Sequence, residues 1–286
     1  MKMKTSGRAF TLIELLVVIA IIALLLGILL PSLKKIQDNA AMKVCQNNAR
    51  QISIAANNYT NDHDQILPHG YTGPISSSPW VCYPLYEDLT AEPSPYTLEG
   101  RIRGIRAGTL WPYLQNEDVY HCPKDNRQSF LQGGFRTYSF SQMVNGSTSG
   151  SDLLWYGPTA KKISELRQPS LRLLVVEEAD PRGFNIGTWV LLGTKPSGQP
   201  GGATTPNFSD PLAYWHANGC VLGFADCHAE PYSFKEIDTI KWLKWNEQKA
   251  REGGTAILWY TKTPGITILD ASLNRDWVFF KKIYCF

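Results

Sequence analysis

No Gly-x-Ser-x-Gly elbow and no His-Glu-x-x-His helix occurs anywhere in the 286 residues, so two common hydrolase frames are missing as motifs. Charge is scarce as well. Asp, Glu, Lys and Arg make up 19% of the chain, and the formal net charge is +3. Lys2, Lys4 and Arg8 account for that excess, and +3 minus these three leaves the rest near zero. A near-neutral body lacks the basic stripe that nucleic-acid binding wants, so no nucleic-acid partner is expected. The N-terminus holds no acidic residue before Glu14, and the apolar run behind it offers no small-x-small cleavage site where it ends, at Ile28-Leu29-Leu30-Pro31-Ser32-Leu33. An ordinary secretory signal is therefore excluded.

What the N-terminus does have is Phe10 to Leu30, about 21 residues, apolar apart from Thr11 and Glu14. At about 1.5 Å per residue such a helix spans a bilayer core of roughly 30 Å. The basic flank before it stays on the cytoplasmic side, which places the remainder of the chain outside. A plain anchor has no reason to carry a carboxylate at Glu14. An ionisable group inside a membrane helix is costly and points to a partner.

Ala9-Phe10-Thr11-Leu12-Ile13-Glu14-Leu15-Leu16 resembles the processing site of type IV prepilins and type II secretion pseudopilins. The resemblance implies cleavage before Phe10 by prepilin peptidase, N-methylation of Phe10, and a Glu as fifth mature residue, which is Glu14. It also implies Pro as the twenty-second, which is Pro31. The family's usual residue before the cut is Gly, and here it is Ala9; Gly7 lies two residues too early. Glu14 would then pair with the Phe10 amine of a neighbouring subunit, neutralising two charges in a low-dielectric setting. Implied partners are other pilin or pseudopilin subunits, the peptidase, an inner-membrane assembly platform and the membrane. The implied location is single-pass in a bacterial inner membrane, with the N-terminus cytoplasmic and the body periplasmic or extracellular.

The expected organisation is a leader at 1–9, a membrane and filament-core helix at 10–30, an amphipathic continuation at 31–61, and a globular body at 62–286. Leu33, Ile36, Ala40, Val44, Ile52, Ala55 and Tyr59 approach helical spacing, with Cys45, Ala49 and Ala56 on the same side. Lys34, Lys35, Gln37, Asp38, Asn47 and Arg50 suit a solvated face. Pro31 removes one helix hydrogen bond and should kink the helix. Residues 62–108 are rich in Pro and Gly and predict long loops with short strands. Trp80, Tyr83, Tyr86 and Tyr96 in that region form either a surface that stacks on sugars or partner side chains, or loop-core filling.

Further on, 109–114 predicts a short helix and 119–125 a strand ending in a Cys-Pro turn. Alternation from Phe135 to Met143 predicts a half-buried strand, 163–169 a helical turn, and Leu171 to Glu178 a central strand. Glu177, Glu178 and Asp180 at its end allow a Ca²⁺ site, a carboxylate pair or, as is usual, a solvated strand end. A helix is expected over 234–248, and strands at 256–260 and 277–280.

Six cysteines (Cys45, Cys82, Cys122, Cys220, Cys227 and Cys285) permit 15 full pairings in an exported body, or remain buried thiols. His121 beside Cys122 supplies too few ligands for zinc, and no metal or other cofactor is expected, Ca²⁺ aside. The Cys122-Pro123 step after the short helix resembles the middle of a bacterial branch of prepilin-like proteins. On that resemblance Cys122 pairs with an upstream cysteine, Cys82 first. The segment 214–234 resembles the same branch's C-terminal signature, His, nine residues, Asp-Gly and usually His. The match covers His216, Asn218, Gly219, Phe224, Asp226 and His228, with Cys227 in place of Gly. It reads as a hairpin whose two-residue turn is Asp226-Cys227, placing Cys220 opposite Ser233. Positive φ there suits Gly and burdens Cys by about 1 kcal/mol or more. His216, Asp226 and His228 are also the residue types of a metal or acid–base site.

The fold class expected is α+β, pilin-like: a long N-terminal helix packed on an antiparallel sheet with long loops. The function expected is a structural filament subunit rather than an enzyme. The rivals are a membrane-tethered glycan-binding module and, more weakly, an anchored hydrolase using His216, Asp226 and the Glu177/Glu178 pair.

Overall fold

The computed structural model describes residues 11–92, 96–129, 135–146, 159–180, 185, 188–192, 207–253, 263–264 and 271–284. Two compact units divide the chain, 1–40 and 41–286. Helix α1 runs Leu12–Asp62 and continues through Pro31. Within the first unit the helix is exposed over 12–37 and, Glu14 aside, apolar through Leu30. An 18-residue window of α1 has mean hydropathy 3.2 with none of it buried, which is long and apolar enough to cross a membrane.

In the second unit α1 becomes one-sided. Ala41, Cys45, Asn48, Ala49, Ile52, Ala56 and Thr60 are buried at helical spacing. The apolar stripe therefore follows the phase of Cys45 and Ala49, and Val44 lies exposed. These small residues let the helix come close to a four-stranded antiparallel sheet, β3 (Tyr138–Phe140), β4 (Leu173–Glu177), β7 (Gly219–Phe224) and β8 (Ala229–Ser233), in the order β3-β4-β7-β8. Gly223 lies at the approach, where a Cβ would sit 3.0 Å from Ser53 Oγ and 3.3 Å from Ala49 O of α1, and 2.6 Å from Val175 Cγ1 on the adjacent strand.

Alternation along β7 divides two cores. Val221 and Ala225 join Cys45, Ala49, Ile52 and Ala56 on the α1 side. Cys220, Leu222 and Phe224 face a second core built by helix α4 (Ile237–Arg251), helix α5 (Arg275–Tyr284) and the short pair β5 (Leu191–Leu192) and β6 (Asn207–Phe208). The body is thus an α+β, pilin-like layering, α1 on one face of the sheet and helices on the other. The loop-rich region carries a parallel pair, β1 (His69–Gly73) and β2 (Pro79–Cys82), helix α2 (Leu98–Arg106) and the short helix α3 (Trp111–Leu114).

Four expectations are corrected. Residues 117–120 form a 3₁₀ turn rather than the start of a strand, with Asn116 Oδ1 accepting from Asp118 N–H at 3.1 Å. β3 is buried on both faces, because Asn185 Nδ2 donates to Thr137 O (3.1 Å) and Ser139 Oγ (3.2 Å) and satisfies its polar side. Residues 277–280 lie in helix α5, not a strand: Asn274 Oδ1 accepts from Asp276 N–H (2.9 Å) and Trp277 N–H (3.0 Å), and Trp277, Phe280 and Tyr284 share the buried side. The hairpin register is shifted by one, Cys220 facing Tyr232. Its loop is the three residues Ala225-Asp226-Cys227, closed by Cys227 N–H to Phe224 O (3.0 Å) and Phe224 N–H to His228 O (2.9 Å). In that loop only the last residue needs positive φ, and Cys227 has +70°. The strand expected at 256–260 and Cys285 lie outside the described residues.

Candidate functional site

At the N-terminus, Ala9 and Phe10 lie outside the described residues, and the geometry starts at Thr11. Glu14 turns back onto the helix start: its Oε2 accepts from Thr11 N–H and from Thr11 Oγ1, both at 2.8 Å. Glu14 N–H in turn donates to Thr11 Oγ1 at 3.2 Å. This is a reciprocal capping box, and the signal for it, Thr11-x-x-Glu14, stands in the sequence. It gives Glu14 a partner within one chain.

The body brings together a second set. Cys45 from α1, Cys122 from the Cys-Pro turn, Glu177 from the end of β4 and His216 ahead of β7 converge in the core. All four are buried, and one ligand-type atom from each lies within 4.8 Å of the others. Cys45 Sγ is 3.1 Å from Cys122 Sγ, Cys122 Sγ is 3.4 Å from His216 Nε2, and His216 Nε2 is 3.2 Å from Glu177 Oε1. The other carboxylate oxygen, Glu177 Oε2, accepts Val221 N–H at 2.7 Å. His216 Nδ1 is buried and has no hydrogen-bond partner among the described residues.

The electrostatics of this cluster are those of a shared buried charge. Burial works against an imidazolium at His216, but hydrogen bonds with Cys45 and Glu177, and the Glu177 charge, outweigh it and lift His216 to about 10. The hydrogen bond between Cys45 and Cys122 draws Cys45 down, against burial. Burial, then the hydrogen bond to Cys45, pushes Cys122 far up. These directions favour positive charge on His216 and make Cys45 the more readily ionised of the two thiols.

The local backbone explains why His216 points inward. Ala217 and Asn218 both have positive φ, +52° and +61°, a turn that Asn tolerates well. Gly219 is required beside it, because a Cβ there would sit 2.3 Å from Tyr232 O. Asn218 O then accepts Phe234 N–H at 3.0 Å.

The other expected groupings separate. Asp226 and His228 sit at the opposite end of β7 from His216, about 20 Å away along the strand. There Asp226 Oδ1 accepts His228 N–H at 3.2 Å, and the His228 ring stacks on Phe224 with centroids 4.3 Å apart. Cys227 Sγ is met by Asn57 Nδ2 of α1 at 3.0 Å. No His216–Asp226–His228 site forms.

Glu177, Glu178 and Asp180 do not form a solvated strand end, for all three are buried. Adjacent positions on a strand face opposite ways, so Glu177 goes to His216 while Glu178 and Asp180 lie in the field of Arg127 and Arg136. Arg127 uses its whole fork: Nε and Nη2 reach Asp125, and Nη1 reaches Asp180 O (3.0 Å) and Asn185 Oδ1 (2.8 Å). No Ca²⁺ cage results from the three acids.

Among the described cysteines all five are free. The expected Cys82–Cys122 pair is not formed; Cys82 Sγ faces Ala107 O at 3.4 Å, and burial lifts its thiol to about 11. Cys220 is buried in the second core. His121 turns away from Cys122 and meets Phe135 O at 2.6 Å. Trp80 is buried against Tyr120 and Phe140 while Tyr86 is exposed, so these two do not share a surface.

Neither curated proteins nor solved structures give a match to this chain. The profile of the prokaryotic N-terminal methylation motif does match, over residues 5–30. The chain therefore carries a prepilin-type cleavage and methylation motif at the head of a long apolar helix, on a pilin-like α+β arrangement.

Proposed function

We propose that the chain is a minor pilin or pseudopilin, a structural subunit of a type IV pilus or a type II secretion filament. The match of residues 5–30 to the methylation motif is the observation that carries the reading. Prepilin peptidase cuts after Ala9 and Phe10 is N-methylated. The helix at 10–30 holds the subunit in the inner membrane with its N-terminus cytoplasmic and its body outside. The assembly platform then passes it to a filament of other pilin subunits. Glu14 exchanges its hold on Thr11 for the Phe10 amine of a neighbour, which offsets the cost of a carboxylate in an apolar setting. Two further features support a structural role. The apolar first part of α1 is exposed along its length, and the buried Cys45–Cys122–Glu177–His216 cluster gives substrate no access.

Mass spectrometry of the chain co-expressed with an active prepilin peptidase tests this. The expected mature N-terminus is N-methyl-Phe10. A chain that keeps residues 1–9, or begins after Gly7, overturns it.

A further inference from the structure

Three of the four groups in the buried cluster are metal ligands only when they have lost a proton or are born charged, and all four converge on one point. Cys45, Cys122 and Glu177 are fully buried and His216 is 4% exposed. Burying a carboxylate beside two thiols is expensive unless something positive stands among them. A lone imidazole nitrogen is a poor match for two sulfurs and a carboxylate oxygen. A divalent cation is a good one.

Distances distinguish the chemistry. With Zn–S near 2.3 Å and Zn–N and Zn–O near 2.0–2.1 Å, a tetrahedron has edges of about 3.8 Å for S···S, about 3.5 Å for S···N and about 3.3 Å for N···O. The cluster shows 3.4 Å for Cys122 Sγ to His216 Nε2 and 3.2 Å for His216 Nε2 to Glu177 Oε1. Those two edges already fit. The 3.1 Å between Cys45 Sγ and Cys122 Sγ needs to open by about 0.7 Å. A disulfide, the rival for this pair in an exported protein, needs the same distance to close by about 1 Å. A disulfide would also leave the convergence of His216 and Glu177 on these sulfurs without a role.

The surroundings are those of a held ligand set. Glu177 Oε2 is fixed by Val221 N–H at 2.7 Å, leaving Oε1 turned to the cluster. Cys122 Sγ accepts Lys124 N–H at 3.4 Å, a contact that orients the sulfur. Two sulfurs, one imidazole nitrogen and one carboxylate oxygen suit a borderline-soft ion with tetrahedral preference, that is Zn²⁺. Four protein ligands in a closed site leave no open position, so the role is structural rather than catalytic.

We infer that Cys45, Cys122, Glu177 and His216 form a structural zinc site that fastens the second half of α1 to the sheet. Binding needs both sulfurs as thiolates and His216 as a neutral imidazole, so the protons these groups carry are released to solvent. The ion joins four segments that are far apart in sequence, α1, the Cys-Pro turn, β4 and the turn before β7. The inference stands apart from the filament reading, since it concerns the body alone.

The test uses the full chain in detergent, with thiols trapped by alkylation at lysis. Expected are one zinc per chain by elemental analysis and no mass deficit from a Cys45–Cys122 bond. Chelator should lower the melting temperature and added Zn²⁺ should restore it. Replacement with Co²⁺ should give thiolate charge-transfer and tetrahedral visible bands. Those bands should be lost in Cys45→Ser and His216→Ala but kept in Cys227→Ser. Where a ligand variant fails to fold, the chelator and cobalt measurements on the unaltered chain still decide. A Cys45–Cys122 disulfide in trapped material overturns the inference. So does a reduced chain that takes up neither Zn²⁺ nor Co²⁺.

Discussion

Gly223→Ala tests how closely α1 lies on the sheet. A Cβ at 223 would meet Val175 Cγ1 at 2.6 Å, Ser53 Oγ at 3.0 Å and Ala49 O at 3.3 Å. Carbon atoms prefer about 3.5–4.0 Å, so the overlap with Val175 is close to 1 Å. Val175 cannot swing away cheaply, being β-branched and central in the sheet. Ser53 Oγ is already committed to Ala49 O at 3.0 Å. Relief at Val175 means parting β7 from β4, and relief at Ser53 and Ala49 means lifting α1, which loosens Cys45, Ile52 and Ala56 together. Overpacking of this kind costs about 1–3 kcal/mol. Replacing Gly returns about 0.4–1 kcal/mol through the unfolded chain. The net loss centres on about 1.3 kcal/mol, or roughly 3–5 °C in melting temperature for a body of this size. Thermal unfolding of the full chain in detergent reads it. Val175→Ala in the same chain should relieve the clash, so the double variant should lose at least about 0.5 kcal/mol less than the two singles summed. Stabilisation by Gly223→Ala, or strict additivity with Val175→Ala, would refute the close packing around Gly223.

Two other substitutions probe the buried polar framework. Arg127→Lys keeps the charge but loses the fork that holds Asp125, Asp180 O and Asn185, and should cost about 3 kcal/mol, read as a lower denaturant midpoint. Asp276→Asn leaves a donor facing donors, since Asp276 accepts from Tyr232 OH (2.7 Å), Lys235 N–H (2.7 Å) and Glu236 N–H (3.0 Å); about 2 kcal/mol should be lost in the same assay.

The long helix, the central strand at 173–177 and the C-terminal hairpin were legible because each carries its own local signal: an apolar run, a continuous Leu-Leu-Val-Val stretch, and Asp226 at a turn. Helix α2 was not legible. Its sequence, Leu-Glu-Gly-Arg-Ile-Arg-Gly-Ile-Arg, offers little apolar period, and its glycines fit because Gly104 presses against Cys82 O and Tyr83 O. Trp277 to Phe280 looked like a strand because aromatics favour strands, and the Asn274 cap that makes it a helix sits just outside that window. The Cys45–Cys122–Glu177–His216 cluster has no sequence spacing at all; tertiary folding alone unites it. Its faint marks were a cysteine on the buried side of α1 and a carboxylate closing an apolar strand.

The central claim is that Glu14 acts through its charge on a neighbouring subunit. Glu14→Gln isolates that charge, since Gln still serves a capping box with Thr11. The measurement is the amount of processed subunit in sheared filaments, compared with the membrane fraction. The account predicts that the Gln variant is cut and methylated at Phe10 yet stays in the membrane. Recovery of that variant in filaments at the unaltered level would contradict it.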